Sequence, residues 1–304
     1  MQTELNKFTQ KTRKYFRRKN EKHTSLHSFF ISCHRIYCSL TGFLHVLPDF
    51  YILGAEKCGT SSLYQYLIDH PCVEPCISKE PRFFSNYFDR GVNWYKIGYP
   101  FKFHKFIRKN LFKKAFITGE ATVRYLDHPH TPRRIKKLTP NAKFIILLRN
   151  PTDRAYSQYS YSVYGKHETL SFEDAIKKEK DRITPEYEKI KKDENYSSDN
   201  YFYYSYLDRG IYVDRIEQWM KIFPKEQFLI LHSKDFFENT SSIYKQVLDF
   251  LELPEWYPPK YKIRGIVNEM SPMQSSTRKE LIEFFKPHNE KLYKYLGTNF
   301  NWDH

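Results

Sequence analysis

Nine residues, Gly54-Ala-Glu-Lys-Cys-Gly-Thr-Ser-Ser62, stand between an apolar run, Phe50 to Leu53, and a helical pattern that opens at Leu63. That placement predicts an anion cradle, in which the backbone N–H groups of Cys58, Gly59, Thr60, Ser61 and Ser62 face a phosphate at a helix N-terminus. In the triphosphate-binding pattern GxxxxGK[ST] the lysine directly follows the second glycine and reaches the β and γ phosphates. Here Thr60 holds that slot and Lys57 comes earlier. A lysine on the crest of the loop touches a group attached to the first phosphate, so the loop suits a short 5′ anhydride and not a triphosphate. The plainer reading is a strand-to-helix turn with Ser and Thr as caps.

A second junction of the same kind follows the unbroken apolar run Phe144 to Leu148, the mark of a buried parallel strand. In Arg149-Asn-Pro-Thr-Asp153, Asn150 caps a helix, Pro151 suits its first turn and Asp153 favours the positive end of its dipole. Arg149 at the strand end and Ser157 two turns on offer an arginine fork and a hydroxyl for a dianionic phosphate. Arg154 and Ser157, three apart, share a helix face. For Arg149 the structural alternative is an ion pair that caps the sheet. Ligands of parallel α/β sheets sit at the carboxyl ends of the strands, and two such corners imply a nucleotide phosphorylated at two separate places.

The elements that must hold these corners can be read coarsely. Residues 1–25 form a basic leader, 26–48 an amphipathic lead-in helix ending at Pro48, and 49–304 the main domain. Core strands are expected at residues 50–53, 116–118, 144–148 and 228–231. Helices are expected from Thr60 to Asp69, with Leu63, Tyr66 and Leu67 on one face, from Thr131 to Leu138, and near 240–251 and 276–295. Residues 72–90 read as a loop. In the stretch from Phe101 to Lys114, Phe103, Phe106, Ile107 and Leu111 line one face with lysines opposite, a solvated helix rather than a nucleic-acid stripe. Residues 171–198 are charge-dense and read as an exposed helix and insertion. Strand and helix alternation argues for an α/β fold with a central parallel sheet flanked by helices.

The chain has 304 residues, 40% of them apolar and 18% aromatic, enough for a full core, and a formal charge of +15 that predicts anionic partners. The leader carries eight basic residues within positions 1–22 against Glu4 and Glu21. No stretch reaches the roughly 18 apolar residues of a membrane span, because His27, His34, Arg35 and His45 interrupt the segment from Leu26 to Leu47. A cytoplasmic location is therefore the expectation. The five cysteines lack the C-x2-C spacing of a zinc site, so no metal is expected.

Four ordered motifs carry a resemblance. Pro48 to Leu63, Lys79-Glu-Pro-Arg-Phe-Phe84, Leu148 to Ser157 and Arg209-Gly-Ile-Tyr212 look like the sulfotransferase family, in the branch with heparan sulfate N- and 3-O-sulfotransferases and soluble bacterial relatives. The resemblance covers about residues 48 to 302. It implies a P-loop nucleotide-kinase-like fold and the donor 3′-phosphoadenosine 5′-phosphosulfate, its 5′ end held by residues 57–62 and its 3′-phosphate by Arg149 and Ser157. In-line sulfuryl transfer then rests on positioning and charge stabilisation. Lys57 would neutralise the leaving oxygen and Glu80 would be the general base. Lys79, Arg82 and Glu120 would face the substrate, with Glu120 the rival carboxylate that orients substrate or Lys57. Lys262, Arg264 and Gly265, in Lys260-Tyr-Lys-Ile-Arg-Gly265, resemble the basic loop that closes over the donor.

The chain departs from the heparan sulfate enzymes in three ways: it lacks the disulfide flanking that loop, Ala121 replaces a substrate-contacting lysine, and Arg82 replaces a histidine. These departures leave the donor site intact and count against heparan sulfate itself as acceptor. The expected acceptor is a hydroxyl or amine on a glycan or small molecule, and nucleic acid is not an expected partner. Two rival readings are a P-loop kinase, which Thr60 in the lysine slot disfavours, and a non-catalytic binder of acidic glycans.

Overall fold

A computed structural model describes residues 33–34, 36–111, 115–265 and 272–302. The leader and the first part of the lead-in helix lie outside the described residues. Within the rest, residues 36–41 are helical and pass into a 3₁₀ turn at Gly42–Leu44, so the lead-in helix stops before Pro48.

Five parallel strands make one sheet: β1 (Phe50–Gly54), β2 (Val73–Pro75), β3 (Ile117–Glu120), β4 (Lys143–Leu148) and β5 (Phe228–His232), in the order β2-β3-β1-β4-β5. Every residue of β1 is buried, as are the last five of β4. That is what near-continuous apolar runs produce when helices cover both faces. β1 lies between β3 and β4, pairing Tyr51 with Glu120 on one side and with Phe144 on the other. The chain leaves β1 for β2 and β3 on one side and then crosses to β4 on the other, so a crevice opens at the carboxyl ends of β1 and β4.

The main helices are α1 (Thr60–Asp69), α2 (Thr131–Leu138), α3 (Pro151–Tyr164), α4 (Glu179–Lys192), α5 (Tyr212–Met220), α6 (Thr240–Phe250) and α7 (Ser275–Leu296). In α1 the expected face is the buried one, with Leu63, Tyr66 and Leu67 all inaccessible or nearly so. α3 begins as expected, with Asn150 Oδ1 accepting from the Thr152 N–H at 3.0 Å. Beneath the sheet, Phe144 packs against Tyr51, Trp219, Phe223 and Phe228 at ring separations of 4.6 to 5.9 Å. Burying one such ring contributes about 1.5–3 kcal/mol.

Four expectations are corrected. The segment read as a loop after Cys72 contains β2, held by pairing with β3 from Val73 opposite Ile117. The third strand runs to Glu120, beyond Thr118. Helix α5 was not expected; it buries Tyr212, Val213, Ile216 and Trp219. The charge-dense stretch is anchored, since Ile183 and Ile190 of α4 are buried and the Glu179 carboxylate accepts from the backbone N–H groups of Leu207 and Asp208 at 2.7 and 2.8 Å.

Candidate active site

The two corners open into one cleft of about 810 Å³, within the range of about 300–1,000 Å³ usual for small-molecule sites. Its lining includes Lys57, Thr60, Ser61, Lys79, Glu80, Arg149, Ser157, Arg264 and Gly265, so residues far apart in the chain converge as the motifs require.

The first corner is built by a tight turn. Gly59 precedes α1 with φ of 96°, in the left-handed region, and an added Cβ would sit 3.0 Å from the Phe237 ring. A side chain there would be strained by the backbone and crowded by the ring. Lys57 also takes a left-handed φ, 66°, a conformation that non-glycine residues hold only where the surroundings enforce it. Its Nζ lies 4.9 Å above the Tyr161 ring and donates to the Gly265 carbonyl at 3.4 Å. Burial lowers its pKa, opposed by Glu56 and reinforced by Arg149. Cys58 contributes backbone only, because its thiol is fully buried and pushed up to about 11 by that burial.

The second corner touches the first. Arg149 Nη1 donates to the Lys57 carbonyl at 3.5 Å. Ser157, Ser160 and Tyr161, with Asp153 and Tyr156, present one face of α3 to the cleft. Positions 153, 157, 160 and 161 repeat at helical spacing, a signal in the sequence that marks the whole face. Arg154 does not share it: its side chain is completely buried, bonded to Gln158 Oε1 at 2.7 Å and to the Tyr206 carbonyl. An offset of three positions is enough to turn one side chain into the core and the other into the cleft.

The Arg209-Gly-Ile-Tyr212 motif supports both corners from behind. Arg209 is buried and pairs with Glu56 at 2.6 Å and Asp127 at 3.2 Å, which ties the first loop to the chain ahead of α5. Tyr212 donates to the Arg149 carbonyl at 2.8 Å. Gly210 between them allows close packing, since a Cβ there would lie 2.7 Å from Phe285. The carboxy-terminal segment adds a tie, with Asn150 Nδ2 donating to the Trp302 carbonyl at 3.2 Å.

Across the cleft, Glu80 faces Lys79 at 3.2 Å and Arg82 at 3.7 Å. Lys79 also donates to Ser61 Oγ at 2.8 Å, linking this loop to α1. Arg82 is outside the cleft lining, and so is Lys262, whose side chain is exposed. Arg264 lines the cleft, and its backbone N–H donates to Ser62 Oγ at 2.9 Å, which satisfies the buried serine.

Glu120, expected to face the substrate, contributes no surface to the cleft. It is fully buried, with Tyr95 and Thr122 donating to its carboxylate at 2.5 and 2.7 Å. Burial pushes its pKa up to about 7, against the hydrogen bonds from Tyr95 and Thr122. A pair that sequence reasoning missed, Arg278 with Asp153 at 2.6 Å, stands at the cleft rim.

Residues 47–297 match the family model described as a sulfotransferase domain. The chain is 27% identical to the membrane-associated sulfotransferase kil1 of Dictyostelium discoideum, over 86% of this chain and 68% of that protein. It is 29% identical to the mouse heparan sulfate glucosamine 3-O-sulfotransferase 5, over 84% of this chain and 74% of that one. Among solved structures, a sulfotransferase from Alicyclobacillus acidocaldarius superposes with a TM-score of 0.64 at 30% identity, covering 85% of this chain and all of that one.

Proposed function

Because the chain belongs to the sulfotransferase family, we propose that it moves a sulfuryl group from 3′-phosphoadenosine 5′-phosphosulfate to a hydroxyl or amine of a carbohydrate. One observation carries the reading: Lys57, Glu80, Arg149 and Ser157 line a single cleft, which supports assigning them to one donor and one acceptor. The names of two relatives that act on heparan sulfate glucosamine support a carbohydrate acceptor.

In this mechanism the backbone N–H groups of residues 58–62 and the Lys57 ammonium hold the 5′ phosphosulfate, and Arg149 with Ser157 takes the 3′-phosphate. Glu80 removes the acceptor proton as the acceptor oxygen or nitrogen bonds to sulfur. The bond from sulfur to the bridging oxygen breaks, and the electron pair leaves on 3′-phosphoadenosine 5′-phosphate. Lys57 stabilises the charge that grows on that oxygen, a term that is large in a site shielded from water. Lys79 and Arg82 orient Glu80, and Lys262 with Arg264 and Gly265 belongs to the loop that closes over the donor. Glu120, enclosed by its tyrosines, serves the architecture beneath the cleft instead of touching substrate.

The location expected from sequence, the cytoplasm, is part of the proposal, and cell fractionation tests it. No helix among the described residues is long and apolar enough to cross a membrane. The activity is tested by offering sulfur-labelled donor with a panel of glycans, lipids and small alcohols and identifying products by mass spectrometry. Labelled sulfate on an acceptor is the expected result. Magnesium-dependent ATP consumption without sulfate transfer, or heparin retention without saturable donor binding, would replace the reading with a kinase or a glycan binder.

A further inference from the structure

The helix at Lys102–Asn110 is mounted with its charged side inward. Lys105 pairs with Asp49 at 2.9 Å, Arg108 donates to the Pro71 carbonyl, and both His104 and Arg108 lie beside Glu74. Phe103, Phe106 and Leu111 consequently face outward, between 59% and 70% exposed. Sequence logic places such a stripe against the core, and here it is turned away. Residues 36–44 also turn apolar side chains outward: Tyr37, Leu40 and Phe43 are 49% to 66% exposed. The two segments meet where the Val46 N–H donates to the Pro100 carbonyl at 3.0 Å and the His45 ring packs, tilted by 33°, against Phe101 with 4.1 Å between ring centres.

Charge decides what can cover this face. No acidic residue occurs between Phe101 and Lys114, while exposed Lys102 and Lys109 flank the apolar stripe and Lys113 and Lys114 follow it in sequence. A second copy would have to set this basic stripe against itself, and like charges across an interface are repelled. Aromatic side chains rimmed by lysines match the boundary between headgroups and acyl chains of an anionic leaflet. We infer that this face is a peripheral docking surface for an anionic lipid bilayer. Its placement suits catalysis: Asp49, which anchors the helix, precedes β1, whereas the anion loop leaves the far end of the same strand. The bilayer therefore lies on the side away from the cleft, which stays open to acceptors.

The full chain is tested by co-sedimentation with vesicles of phosphatidylcholine containing about a third phosphatidylserine, the acidic lipid of the cytoplasmic leaflet. The double variant Phe103→Ser, Phe106→Ser keeps every basic residue and the leader. Wild type should sediment, and the variant should partition about tenfold less or weaker, with unchanged melting and unchanged binding of 3′-phosphoadenosine 5′-phosphate. Three results overturn the inference: no sedimentation of the wild type, equal sedimentation of both proteins (the leader alone then sufficing), or a wild-type dimer that the variant converts to monomer without any effect of vesicles.

Discussion

Replacing Glu80 with glutamine separates a catalytic carboxylate from one that merely holds two neighbouring cations. Its observed partners are Lys79 at 3.2 Å and Arg82 at 3.7 Å, and all three side chains are partly accessible, 21% to 37%. Such pairs contribute about 0–1 kcal/mol each. Losing both therefore costs no more than about 2 kcal/mol, a shift in Tm below about 8 °C for a domain of this size. A general base contributes far more to the barrier. Its loss lowers turnover by about 10²- to 10⁴-fold, or roughly 3–5 kcal/mol in activation free energy. The assay is transfer of labelled sulfate to whichever acceptor the wild type uses, alongside thermal melting. Glu80→Gln should stay folded, bind 3′-phosphoadenosine 5′-phosphate as before, and turn over at a hundredth of the wild-type rate or less. Turnover within about threefold of wild type would refute the reasoning, because the base contribution is at least tens of times larger than that.

Lys57→Ala should reduce turnover by about 10²- to 10³-fold, the usual effect of deleting one group aimed at developing charge, measured in the same transfer assay; a smaller loss would move leaving-group stabilisation elsewhere. Arg209→Met strands Glu56 as a buried carboxylate and leaves Asp127 only the more distant Arg215, at 4.0 Å, so it should cost about 3–5 kcal/mol in urea unfolding; a loss under about 1 kcal/mol would mean that this pairing does not brace the loop. Glu120, with its pKa raised to about 7, keeps a proton in the folded state that the unfolded chain has already released. Stability from this group is complete below the unfolded carboxylate pKa and is lost as pH climbs to about 7, so Glu120→Gln should gain on wild type by about 2–3 kcal/mol between pH 5 and pH 8. Paired denaturation curves at the two pH values check this, and a difference independent of pH would contradict it.

The strand-to-helix corners were legible because their signals are local. An apolar run, a glycine where the chain turns from strand to helix, and an Asn-Pro helix start each report on neighbours in the chain, and α1, β4 and the capped start of α3 stand where those signals put them. What failed depends on distant partners. β2 is three residues long and exists through its pairing with β3, about forty positions away, so no periodicity marks it. The resemblance alone made Glu120 a site residue, and only the fold brings Tyr95 and Tyr125 around it. Arg154 and Ser157 satisfy the same spacing rule, yet one meets Tyr206 and the other the cleft. The motif at Arg209 was visible as a pattern, but its work, bracing one corner through Glu56 and the other through the Arg149 carbonyl, is a property of the assembled sheet.

The proposal that both corners grip one doubly phosphorylated adenosine is tested most directly by calorimetric titration with 3′-phosphoadenosine 5′-phosphate and with adenosine 5′-monophosphate, in wild type and in Arg149→Ala. Wild type should prefer the doubly phosphorylated ligand by about tenfold to a hundredfold, the contribution of a charge-assisted arginine fork to one phosphate, and Arg149→Ala should bind the two ligands nearly alike. Equal affinities in the wild type, or an undiminished preference in the variant, would contradict the account.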